Sequence, residues 1–64
     1  MIVKIKDIKV GDIIFFANGG TKIVSEQYKD MMEGMYTEEL IAKKSHDFDI
    51  VLILRPNYTT IFEA

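Results

Sequence analysis

A chain of 64 residues has room for one domain, and a core of that size contributes only about 3–5 kcal/mol. There is no Cys, which excludes a disulfide staple and a thiolate metal site. The net charge of −2, with Lys interspersed among Asp and Glu, argues against bulk binding to nucleic acid or anionic membrane.

The hydrophobic fraction of 48% argues against disorder. With no staple, stability must come from dense apolar packing or from oligomerisation, and apolar side chains left facing outward invite a partner. No apolar stretch approaches the roughly 20 residues of a membrane span. Lys4 and Lys6 alternate with aliphatics where a signal peptide would be continuous, so the expected compartment is the cytosol, with no membrane partner.

Residues 2–6 read as a half-buried strand, with Val3 and Ile5 on one side and Lys4 and Lys6 on the other. Ile8 to Val10 continue it briefly. Gly11-Asp12 is a turn, since Gly permits positive φ and Asp bonds nearby amides. Residues 13–17, Ile-Ile-Phe-Phe-Ala, form a strand apolar on both faces. Asn18-Gly19 predicts a hairpin with a type I′ turn, and Thr21 to Ser25 return.

In residues 26–45, Tyr28, Met31, Met32, Met35, Tyr36, Leu40 and Ile41 recur at helical spacing, with Gly34 inside the pattern. This predicts a helical insertion near residues 28–44, with Thr37 capping a second short helix; the rival is a loop and short strand across a barrel mouth. Ser45-His46-Asp47 connects to a closing hairpin. Its first strand, Ile50 to Leu54, is apolar on both faces. Pro56 and Asn57 fill its turn, and Tyr58, Thr60 and Phe62 share one face of the return. The sum is a mainly β (α+β) fold: a small SH3-like or partly open β-barrel of about five strands with a short helical insertion.

Catalytic chemistry finds little purchase. Ser45, His46 and Asp47 are sequence neighbours, and neighbours rarely meet in triad geometry. His46, Asp47 and Asp49 could offer mixed metal ligands, but turn-forming polar residues is the simpler reading. Glu33, Glu38 and Glu39 read as a solvated face, and the glycines match no phosphate fingerprint. No catalytic group, cofactor or metal is expected. The candidate ligand contacts are Tyr36, Arg55, Tyr58, Asn18 and Gly19. Arg and Tyr favour phosphate contacts and interface hot spots, although a strand-end salt bridge and a packed aromatic are the plainer roles for Arg55 and Tyr58. The candidate interface is Tyr28, Met31, Met32 and Met35, because Met makes adaptable surfaces; the alternative is core.

The segments Ile8-Lys9-Val10-Gly11-Asp12, Phe48-Asp49-Ile50-Val51, Leu54-Arg55-Pro56 and Ile61-Phe62-Glu63 together resemble small uncharacterised phage and prophage proteins of low-GC Gram-positive bacteria. Around Met31 to Tyr36 the chain departs from that group's polar, Trp-containing stretch. The resemblance implies a mobile-element origin and a small SH3-like or open barrel, with no catalytic residues to carry over. The expected role is a non-enzymatic, homo-oligomeric binding protein. It would occupy a host protein or sequester a small, possibly nucleotide, ligand in host-defence antagonism. The alternatives are a purely structural module and a nucleic-acid-associated barrel using Lys4, Lys6, Lys9 and Lys22 as one stripe.

Overall fold

The computed structural model describes residues 2–35, 39–41 and 46–64. In chain order these form β1 (Ile2–Lys4), a 3₁₀ turn (Ile5–Asp7), β2 (Ile13–Phe16), β3 (Thr21–Ile23), α1 (Glu26–Met35), β4 (Glu39–Ile41), β5 (Ile50–Leu54) and β6 (Thr60–Glu63). The fold is mainly β. Strands β3-β2-β5-β6 make one antiparallel sheet, and β1 pairs with β4 in a second.

The sheet pattern follows from side-chain alternation. Ile14, Ile53 and Phe62 lie in register across β2, β5 and β6 and are fully buried. Val3, Ile5 and Ile8 close over that face from the N-terminal segment, and Met32 from the helix. Neighbouring positions on the opposite, outer face are Ile13 against Leu54 and Phe15 against Leu52, all half-buried. Strand β5 is therefore buried on its core side and only half-covered on the other.

Two bulges adjust this register. One falls between Phe15 and Phe16, so that Phe16 pairs with Ile50 and both Ile50 and Ile53 reach the core. The second places Thr60 opposite Leu54 and Phe62 opposite Ile53, with Ile61 as the extra residue. The expected shared face of Thr60 and Phe62 is thus corrected: Phe62 is in the core, while Thr60 is exposed.

The two hairpins have one turn geometry. In the first, the Gly19 amide donates to the Phe16 carbonyl (3.0 Å) and the Phe16 amide to Gly20 (2.9 Å). In the second, Tyr58 donates to Arg55 (2.8 Å) and Arg55 to Thr59 (2.9 Å). Asn18 and Asn57 each accept, through Oδ1, the amide two residues on. Positive φ falls on Gly19 (90°) and Tyr58 (64°), not on either Asn. This is the three-residue loop with a left-handed closing residue, rather than the type I′ turn predicted from Asn-Gly. Gly suits that position; Tyr is strained in it.

Helix α1 begins where Ser25 Oγ accepts the Tyr28 amide (3.1 Å), a side-chain N-cap. Its core face carries Met32 and the half-buried Tyr28. Lys29 Nζ donates to the Ile8 carbonyl, fastening the helix to the N-terminal segment. The helix ends at Met35, and β4 follows as a strand against β1. The predicted second helix is therefore corrected to the strand that was its rival. Thr37, its expected cap, lies outside the described residues. The N-terminal strand is also shorter than expected, because Ile5–Asp7 winds into the 3₁₀ turn that sends Ile5 and Ile8 into the core.

Strand β3 is a sheet edge with every side chain exposed. Lys22 pairs in register with the buried Ile14, so it stands on the core side, with Nζ 5.3 Å from the centroid of the Tyr28 ring. An inward-facing charge at an edge discourages further strand addition.

Truncating Ile53 to Ala removes the centre of the core and is expected to cost about 2–5 kcal/mol, enough to unfold most of the population; urea denaturation measures this. Tyr58→Gly is expected to raise stability by about 0.5–1 kcal/mol through relief of the left-handed strain, read in the same experiment.

Candidate functional site

The best-defined polar centre is an ion pair between the first turn and the last. Lys9 to Asp12 form a tight turn: the Asp12 amide donates to the Lys9 carbonyl (3.0 Å), and Gly11 takes φ 97° at the third position. Asp12 Oδ2 accepts the Lys9 amide in return (2.8 Å). On the other side the Gly11 amide donates to Val24 and the Val24 amide to Asp12, both at 2.8 Å. This wrapping leaves the Asp12 side chain 1% exposed.

Arg55 meets that carboxylate as a fork, with Nε 3.1 Å from Oδ1 and Nη2 3.3 Å from Oδ2. Nη2 also donates to the Asp7 carbonyl at 2.9 Å. A third of the Arg55 side chain is exposed. Its hydrogen bond to Asp12 raises the guanidinium above its ordinary value; desolvation opposes this, and the charges of Asp12 and Asp7 add to it. A raised cation contributes its stability below its unfolded-state value and loses it only as pH climbs through the folded one. Arg55 therefore stays charged through the neutral and mildly alkaline range. The salt bridge foreseen as its plain role is formed, and it reaches a buried partner.

The predicted ligand contacts are not brought together. Asn18 and Gly19 close the hairpin beyond Phe16, while Arg55 and Tyr58 lie beyond Leu54, which pairs with Ile13. The two turns stand at opposite ends of the sheet, separated by at least the roughly 10 Å of three strand residues. Tyr36 lies outside the described residues. Tyr58 is 84% exposed, which corrects the packed aromatic.

The Met set divides as well. Met32 is core, whereas Met31 and Met35 are exposed one turn apart on α1 and Tyr28 is half-buried. Of the four lysines, Lys22 sits over Tyr28, and Lys4 stands opposite Glu39 in register. His46, Asp47 and Asp49 form a tight turn in which Asp49 Oδ2 accepts the His46 amide (2.9 Å). Among the described residues no cluster of three His, Asp or Glu could hold a metal ion. No described helix is long and apolar enough to cross a membrane.

Strands apolar on both faces at residues 13–17 and 50–54 imply an outer sheet face in need of a cover, and the structure leaves that face half-buried. The row Ile23-Ile13-Leu54 and the adjacent pair Phe15-Leu52 are apolar, and among the described residues the helix and the N-terminal segment pack on the opposite side. The signal was present in Ile13 to Phe16 and Ile50 to Leu54, both apolar at every position. Searches of protein-family models, curated proteins and solved structures find no match to this chain.

Arg55→Met should destabilise the fold more than Asp12→Asn, because it strands a buried carboxylate, whereas Asn still accepts the Lys9 amide. Arg55→Lys should fall between them, since an ammonium cannot reproduce the fork. Denaturation midpoints of the three variants check the order.

Proposed function

We propose that this chain is a non-enzymatic binding protein, a small SH3-like or partly open barrel of phage type. It works as a homo-oligomer in the host cytosol and takes a host protein as its target. The outer face of the four-stranded sheet carries this reading. It presents Ile13, Phe15, Leu52 and Leu54 from the two central strands, with the exposed Ile23 at one edge. Contiguous apolar surface of this kind marks interaction sites.

The dimensions select the occupant. Four strands and five residues give a face of roughly 19 by 17 Å. That is well short of the roughly 800 Å² per partner of a standard protein interface, and it matches a single amphipathic helix about 10 Å across. The face therefore suits one segment of a partner protein. A nucleotide ligand draws less support, because Arg55 is committed to Asp12 and Asp7 and the remaining contacts lie at the far end. Saturating cyclic nucleotides are expected to leave the melting temperature unchanged.

Phe15→Arg puts a charge at the centre of the face without touching the core. Wild type and Phe15→Arg are each used to recover proteins from a Gram-positive lysate, and any protein recovered is purified and titrated against both by calorimetry. The reading requires a purified partner that binds wild type and loses at least tenfold with Phe15→Arg. A partner indifferent to Phe15→Arg, or none, removes it.

A further inference from the structure

The two hairpins share a turn geometry but differ in the residue that follows the Asn, and the difference is chemical. Asn18 and Asn57 are the two Asn of the chain; Gly19 follows the first and Tyr58 the second. Asn is thermolabile because the backbone nitrogen of the next residue can attack its carboxamide carbon. A side chain on that next residue hinders the approach, and Gly has none. Asn18-Gly19 is therefore the open case and Asn57-Tyr58 the hindered one. Asn18, Gly19 and Gly20 are all exposed, so water and hydroxide reach the loop.

The closed hairpin holds both reacting groups elsewhere. The Gly19 amide donates to the Phe16 carbonyl at 3.0 Å, so its proton is engaged. Asn18 Oδ1 is held by the Gly20 amide at 2.8 Å, and the Asn18 amide donates to Asp47 at 3.0 Å. Ring closure would swing the Gly19 nitrogen onto Cγ and break the bond to Phe16.

We propose that Asn18 is a deamidation site gated by opening of the first hairpin. In the open loop the Gly19 nitrogen gives its proton to hydroxide and attacks Asn18 Cγ. The N–Cγ bond forms, the Cγ–Nδ2 bond breaks, and the leaving nitrogen takes a proton from water and departs as ammonia. Water then opens the cyclic imide at either carbonyl, with no oxidation or reduction. Cleavage at Cγ gives Asp, which keeps an Oδ1 acceptor for the Gly20 amide. Cleavage at the main-chain carbonyl gives isoAsp, whose backbone runs through Cβ and Cγ. That adds one atom to a three-residue loop, which no longer fits the closing bonds between Phe16 and Gly19 and between Phe16 and Gly20. Opening of this hairpin is thus recorded irreversibly, next to the Phe15–Thr21 pairing that holds the edge strand β3.

The full chain is incubated at mildly alkaline pH in native buffer and in guanidinium chloride, and both Asn are followed by peptide mass mapping. Asn18 should convert at least about tenfold faster in denaturant, where the hairpin is open. Asn57 should stay intact in both. Equal rates at Asn18 in the two conditions overturn the gate. An Asn18 that survives in denaturant overturns the site, and an Asn57 that converts as fast as Asn18 overturns the role of Gly19. The isoAsp product, separated by chromatography, should melt below wild type, while Asn18→Asp melts with it. An isoAsp form as stable as wild type overturns the irreversible record.

Discussion

The structure hangs on the fork between Arg55 and Asp12. A carboxylate this deeply buried is tolerable only when its charge is met and its lone pairs are filled. Arg55 supplies the charge, and the Lys9 amide supplies a further bond. In one place the pair joins the first turn, the start of β2 and the end of β5. The third Arg55 bond, to Asp7, draws in the 3₁₀ turn that aims Ile5 and Ile8 at the core. Packing alone would let so small a core adjust; a directional pair with a buried carboxylate favours one register. Two segments far apart in the chain, Val10-Gly11-Asp12 and Leu54-Arg55, meet at this contact.

Around that fastening the sheet is built as two similar hairpins. Ile14 pairs with Ile53, and each hairpin turn begins two residues further along its own strand. The halves diverge where their roles do. The bulge at Ile61 rotates Phe62 into the core, whereas the unbulged β3 sends Lys22 to the corresponding side. One hairpin thus completes the interior and the other closes off an edge. The same divergence puts Gly in one left-handed site and Tyr in the other.

Much of this was legible in the chain. Continuous apolar runs at Ile13 to Phe16 and Ile50 to Leu54, each followed by a turn containing Asn, marked the two hairpins. Helical spacing from Tyr28 to Met35 marked the helix. The Gly11-Asp12 turn was readable from residue type, down to the bond from Asp12 to a nearby amide. What failed was continuation. The period-3.6 pattern runs on through Leu40 and Ile41, yet β4 forms there because β1 offers a ladder to pair with. Asn-Gly signalled a hairpin but not which turn, since loop length and strand twist choose between turns that share those residues.

The sequence by itself determined the mainly β class, both hairpins, the helix and the absence of any disulfide, because these depend on local residue preference and periodicity. Tertiary structure decided that Asp12 and Arg55 are partners, that Met32 is core while Met31 and Met35 are not, and that Asn18 and Tyr58 stand at opposite ends. It also decided that Thr60 and Phe62 face apart. Each of these depends on strand order and on single-residue bulges. A one-residue change in register moves a side chain to the opposite face, and periodicity within one strand carries no record of it.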